Sequence, residues 1–168
     1  MDLATIANIA TALTVLTGVI FGLIEAQRAR RARQDRAALA AVQTLLTSEW
    51  MKSMVVVQGI SDGLSASEIE SDSRVLDAAH AVAMTLEGLG YAVYARIVPL
   101  QVAADLVGGT ARLAWRKLRP YVEEERRRSG SQKSFEWFQW LATQLERHSP
   151  GKTDLQIGAH EAYRDWKP

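Results

Sequence analysis

The chain has 168 residues, 23% of them charged, and a formal net charge of +1. That length holds one compact domain with an appendage but not two ordinary domains side by side, and the balance of charge excludes both a wholly basic nucleic-acid binder and an acidic disordered tail. Cysteine is absent, which removes disulfides, thiolate nucleophiles and thiolate-held zinc or iron–sulfur sites together.

The chain from Leu3 to Ile24 carries no charge. As a helix, about 22 residues extend roughly 33 Å, close to the hydrocarbon thickness of a bilayer. A single transmembrane helix is therefore expected. Its threonines can bond back to carbonyls of the preceding turn, which lowers their cost in lipid. A secretory signal peptide places its positive charge before the apolar run. Here Met1 and Asp2 precede the run and arginines follow it, so the helix is expected to be retained. Arg28, Arg30, Arg31, Arg33 and Arg36 then mark the cytoplasmic side, because loops there carry the excess of Arg and Lys. The N-terminus is expected outside and the rest inside. These arginines also suit the surface of an anionic lipid bilayer, at about 1 kcal/mol per cation. Nucleic acid is not an expected partner, since no aromatic residue is interleaved with them to stack bases.

Within the span, Ala10, Thr14, Gly18, Gly22 and Ala26 recur every four residues. Small residues in such a row let two backbones approach closely, so the ridge predicts helix packing, either as a homo-oligomer or against another membrane protein. Beyond it, no Gly or Pro interrupts residues 23–58, and Leu39, Val42, Leu46, Trp50, Met54 and Val57 recur at helical spacing. One long helix is predicted to continue inward. "QGISDG", residues 58–63, breaks it. Ser65 to Glu68 reads S-x-x-E, a capping box that can start a short helix.

From about Ser73 to Val98, the residues Val75, Ala79, Val82, Leu86, Leu89, Val93 and Ile97 form one apolar stripe of an amphipathic helix. Pro99 fits the first turn of the next helix, and Gly108-Gly109 predicts a stop or kink. Thr110 can cap a following element with the stripe Ala111, Ala114, Trp115, Leu118, Tyr121 and Val122, bent or restarted at Pro120. "EEERRR", residues 123–128, reads as a solvated helix face stitched by Glu–Arg pairs. "SGSQ" breaks the chain, and "SFEWFQWLATQLERH" forms a last helix with Phe135, Phe138, Leu141 and Leu145 on one face. Trp137 and Trp140 fall off that stripe and are candidate partner anchors.

The fold expected is all-α: an N-terminal transmembrane helix continuing into a four- or five-helix cytoplasmic bundle. Its parts are an anchor at 1–27, an Arg-rich juxtamembrane helix at 28–38, a helical cytoplasmic domain at 39–150, and a tail at 151–168 with a short helix. Thr153 to Gln156 would cap that helix as T-x-x-Q.

Chemistry-bearing motifs are few. "PGKT", residues 150–153, lacks a phosphate-binding loop's first glycine, since Glu146 stands there, and it follows a helix rather than a strand. Asp77 and His80 lie one turn apart, with Met84, Glu87 and Tyr91 on the same side. A di-metal bundle site needs a second such pair on a facing helix, and neither His148 nor His160 has an acid three residues before it. No serine sits in a nucleophile elbow. No metal, cofactor or catalytic residue is assigned.

Three stretches, "IANIATALTVLTGVIFGLIEAQRARRARQDRAA", "VPLQVAADLVGGTARLAWRKLRPYVEEER" and "FEWFQWLATQLE", together resemble an uncharacterised family of small bacterial single-pass membrane proteins with an all-helical cytoplasmic domain. The resemblance implies a bacterial cytoplasmic (inner) membrane protein and transfers no functional residue. The function expected is a membrane-anchored, non-enzymatic protein-interaction module. The alternative is a ligand- or metal-sensing regulatory domain that uses the Asp77, His80 and Glu87 face.

Overall fold

A computed structural model describes residues 2–45, 47–148, 164, 165 and 167. Among them every regular element is a helix: α1 (Leu3–Leu45), α2 (Ser48–Gly59), α3 (Ala66–Ser71), α4 (Ser73–Tyr94), α5 (Leu100–Ser129) and α6 (Glu136–His148). The all-α class is thus correct. The predicted cap at Thr153 and Gln156, the short helix after it and the "PGKT" run lie outside the described residues.

Two compact units divide the chain, Met1–Ala37 and Ala38–Pro168. In the first, α1 presents Leu13, Val15, Leu16, Val19, Ile20, Phe21, Leu23 and Ile24 at 40% to 67% exposure. A core helix would bury such side chains. Among the described residues, one helix, near the N-terminus, is long and apolar enough to cross a membrane.

The second unit begins with a departure from expectation. The predicted continuous helix stops at Leu45, and α2 starts afresh at Ser48. Thr47 takes extended dihedrals and its hydroxyl accepts from the Trp50 amide at 3.2 Å, capping α2. The restarted helix buries Trp50, Met54 and Val57, and α2 packs against α4. Leu39, assigned to the same stripe by spacing, is exposed. Leu46, the next member but one, lies outside the described residues.

The predicted start of α3 is present: Ser65 Oγ accepts from the Glu68 amide, and Glu68 Oε2 accepts from the Ser65 amide at 2.8 Å. In α4, Ala79, Val82, Leu86, Leu89 and Val93 are buried, whereas Ile97 lies beyond the helix end and is exposed. The left-handed conformation of Arg96 closes that end, with the Arg96 amide bonded to the Val93 carbonyl.

Neither the glycine pair nor the proline ends α5, which runs unbroken through Gly108, Gly109 and Pro120. The stripe Ala103, Val107, Ala111, Ala114, Leu118, Tyr121 and Val122 is buried along its whole length. Burying an aliphatic side chain returns about 1.5–3 kcal/mol, which outweighs about 1 kcal/mol per interior glycine and about 3 for the proline. The helix ends where Gly130 adopts a left-handed conformation, φ 64°. A core shared by α2 to α6 follows, with Phe138, Leu141 and Leu145 of α6 seated on α4 and α5.

The charged run at 123–128 is only partly the solvated face that its sequence predicts. Arg126 is buried. Its Nε donates to the Ser134 carbonyl at 2.8 Å, Nη1 to Gln139 Oε1 at 2.5 Å and Nη2 to the Phe135 carbonyl at 3.1 Å. A second buried cation, Lys117, closes the C-terminus of α2: its Nζ donates to the carbonyls of Gln58, at 3.1 Å, and Ile60, and pairs with Asp62 at 3.3 Å. A buried cation here satisfies the unpaired carbonyls at a helix C-terminus and offsets its partial negative charge.

At the surface, Glu124 pairs with Arg127 and Arg128, and Arg128 also pairs with Glu70. Hydrogen bonds from Arg127 and then Arg128 hold the Glu124 carboxyl down to about 2. A carboxyl depressed in the folded state contributes stability above its unfolded value of about 4.5, and that contribution is lost as pH falls towards 2. Glu124→Gln should therefore flatten the acid limb of the stability profile in this window, as read by urea unfolding at successive pH values.

Candidate functional site

The residues singled out on α1 remain on its surface. Thr14, Gly18, Gly22 and Ala26 are exposed, and a Cβ built on either glycine meets nothing within 4 Å. The side chain of Ala10 lies outside the described residues. Arg28, Arg30, Arg31, Arg33 and Arg36 are all exposed, with Arg28 4.0 Å from Glu25.

In the helical unit, Trp137 and Trp140 do come together, edge to face with centroids 6.1 Å apart. They are joined by Tyr94, 4.4 Å from Trp137 and 5.9 Å from Trp140, and by Tyr91, 5.8 Å from Trp137. Tyr91 and Tyr94 are 52% and 56% exposed, and both indoles are half-buried. Among the described residues none of the four hydroxyl or indole N–H groups has a protein hydrogen-bond partner. Four connected rings thus offer apolar bodies with unused polar tips, the amphipathic kind of group enriched in the energetic centres of interfaces.

Two features of α4 fix these rings. Gly90 admits the α6 backbone so closely that a Cβ there would stand 2.2 Å from the Trp137 carbonyl oxygen. One turn earlier, Glu87 Oε2 accepts from the Phe138 amide at 2.7 Å. The carboxylate thereby caps the first turn of α6 from a neighbouring helix, where its charge also suits the positive end of the dipole. Burial pushes the Glu87 carboxyl up from its ordinary value, against the opposing pull of the Phe138 and Trp137 amides. The far end of α6 is closed by Arg112, whose Nη1 donates to the Leu145 carbonyl at 3.1 Å. Glu87→Ala should cost about 1–2 kcal/mol of unfolding free energy, the usual loss on removing a helix cap, measurable by urea denaturation.

Phe135 precedes α6 with φ 54°, a conformation that costs an L-residue about 1–2 kcal/mol. Its buried ring lies 5.9 Å from His80 and 6.4 Å from Tyr121, and Arg126 holds its carbonyl. The Asp77, His80 and Glu87 face is accordingly dispersed: Glu87 is a cap, His80 meets Phe135 edge to face, and Asp77 borders a cleft between α2 and α4. Among the described residues no three His, Asp or Glu side chains converge in a way that would hold a metal ion.

The sequence singles out the two tryptophans but not Tyr94, their ring neighbour in the structure, although Tyr91 and Tyr94 stand three apart at the end of an amphipathic helix. Nor does it mark Lys117 and Arg126 as buried cations. The only signal for either was a cation falling within or beside an apolar stripe.

These features define an all-helical protein with an exposed apolar N-terminal helix and a separate helical unit. Residues 12–145 match the family described as a domain of unknown function, DUF4760, and the chain belongs to that family. The match begins within the apolar stretch of α1 and ends in α6. No curated protein and no solved structure matches the chain.

Proposed function

We propose that this protein is a non-enzymatic interaction module held in the bacterial cytoplasmic membrane by α1, with the N-terminus outside and α2 to α6 in the cytoplasm. The observation that supports the anchor is the row of exposed apolar side chains from Leu13 to Ile24, followed at once by five exposed arginines. Water penalises that row at about 25 cal/mol per Å² of apolar surface, while lipid removes the cost and the arginines resist translocation. The surface offered to a protein partner is the ring cluster of Tyr91, Tyr94, Trp137 and Trp140.

The absence of cysteine makes the topology testable. Single-cysteine variants Ala4→Cys and Gln43→Cys, probed with a membrane-impermeant maleimide, should react in intact cells at position 4 and only after lysis at position 43. Labelling of Gln43→Cys in intact cells would refute the orientation. Extraction of the chain by alkaline carbonate would refute the anchor.

A further inference from the structure

Away from the aromatic cluster, α5 and α6 leave between them a groove of about 780 Å³. That volume lies within the range of small-molecule sites, about 300–1,000 Å³. Arg112 and Arg116, one turn apart on α5, and Arg147, near the end of α6, line it against the single carboxylate of Glu146, and Leu113 and Trp115 supply an apolar wall. Two of the guanidiniums are held in place, Arg112 by the Leu145 carbonyl and Arg116 by Asp62, each at 3.1 Å. Each anchor uses one nitrogen, and a guanidinium has five N–H donors, so both keep donors in reserve. Arg147 is exposed and has no hydrogen bond or ion pair among the described residues. The indole of Trp115 is fixed edge-on to Phe138 with centroids 5.3 Å apart.

Cations outnumber carboxylates in this groove even when Asp62 is counted with Glu146. Planar donor forks approaching from two helices suit an acceptor with several oxygens, and a phosphate presents more of them than a carboxylate does. We infer that the groove binds a phosphate ester with an apolar or aromatic body, the phosphate on Arg112, Arg116 and Arg147 and the body along Leu113 and Trp115. Neither the aromatic cluster nor the anchor is needed for this site. The phosphate can belong to a soluble ester or to a phospholipid headgroup, which share this chemistry.

The test is isothermal titration of the full chain, solubilised in a phosphate-free maltoside detergent, with phenyl phosphate, phenol and dihexanoylphosphatidylglycerol. Phenyl phosphate should bind and phenol should not. Arg147→Glu, which breaks no hydrogen bond or ion pair among the described residues, should weaken binding about tenfold or more, while the loss of a cation from the last turn of α6 lowers the melting temperature by only a few degrees. Binding of the short-chain lipid alone, weakened by the same variant, assigns the phosphate to a headgroup and upholds the site. If neither phosphate probe binds, if phenol binds as well as phenyl phosphate, or if Arg147→Glu binds like the native chain, the inference is overturned.

Discussion

Gly90→Ala is expected to destabilise the helical domain by about 2 kcal/mol, lowering its melting temperature by about 8 °C. The added Cβ would stand 2.2 Å from the carbonyl oxygen of Trp137 and 2.7 Å from its carbonyl carbon. These are backbone atoms of α6 and cannot swing aside as a side-chain tip would, so α4 and α6 must separate. Overpacking of this kind costs about 3 kcal/mol, of which the better helix propensity of alanine recovers up to about 1. Gly88 supplies the internal control, since a Cβ there meets nothing within 4 Å. Gly88→Ala should stabilise the domain by about 0.5–1 kcal/mol. Thermal melts of the two variants should therefore move in opposite directions, although the substitutions are chemically identical and two residues apart. Parallel shifts would mean that α4 and α6 do not meet at Gly90.

Arg126→Met is expected to cost about 3 kcal/mol, measured by urea unfolding. Methionine keeps much of the apolar stem but removes every donor. The carbonyls of Ser134 and Phe135 and the side-chain oxygen of Gln139 then lose the partners that the guanidinium supplies. A buried acceptor left unsatisfied costs about 1–3 kcal/mol, and water at the rim recovers part of that sum. The strained Phe135 would also lose its clamp, so the start of α6 should loosen and the signal of its tryptophans should change with it. Arg127, next in sequence, is exposed, and among the described residues its side chain bonds only Glu124. Arg127→Met should leave the unfolding midpoint close to that of the native chain, since exposed ion pairs contribute little.

The contrast between those two arginines shows what the sequence can and cannot disclose. "EEERRR" places three cations in a row, of which Arg126 continues the buried row of Leu118 and Val122, but its acceptors, the Ser134 and Phe135 carbonyls, are brought to it only by the return of the chain through Gly130 into α6. The same holds for Lys117, whose partners lie 57 and 59 residues away, and for Glu87, which caps a helix 51 residues downstream. Local signals carried further. Ser65 and Glu68 formed their box because both partners fall within four residues of each other, and the apolar stripes of α4 and α6 were legible because burial imposes a period of 3.6.

Where local signals misled, tertiary packing had outweighed propensity. Gly108, Gly109 and Pro120 favour a break in α5, but the buried stripe on either side holds the helix together. The opposite error came at Thr47, where no glycine or proline announces a break. The available sign was a hydroxyl residue immediately before the Trp50, Met54 and Val57 stripe, the usual place for a helix cap. Of the aromatic cluster, the indoles were visible as residues off the core face of α6, but Tyr94 became part of it only once α4 and α6 were packed through Gly90.

Photo-crosslinking in native membranes tests the interaction module most directly, with a photoreactive amino acid replacing Tyr94 in the full chain and an otherwise identical chain carrying it at the exposed position Gln43. The proposal predicts one discrete crosslinked protein from position 94 in the membrane fraction, absent from position 43 and lost when Trp140→Ala is added. A chain recovered from the soluble fraction, or crosslinks from position 94 that are the same with and without Trp140, would contradict it.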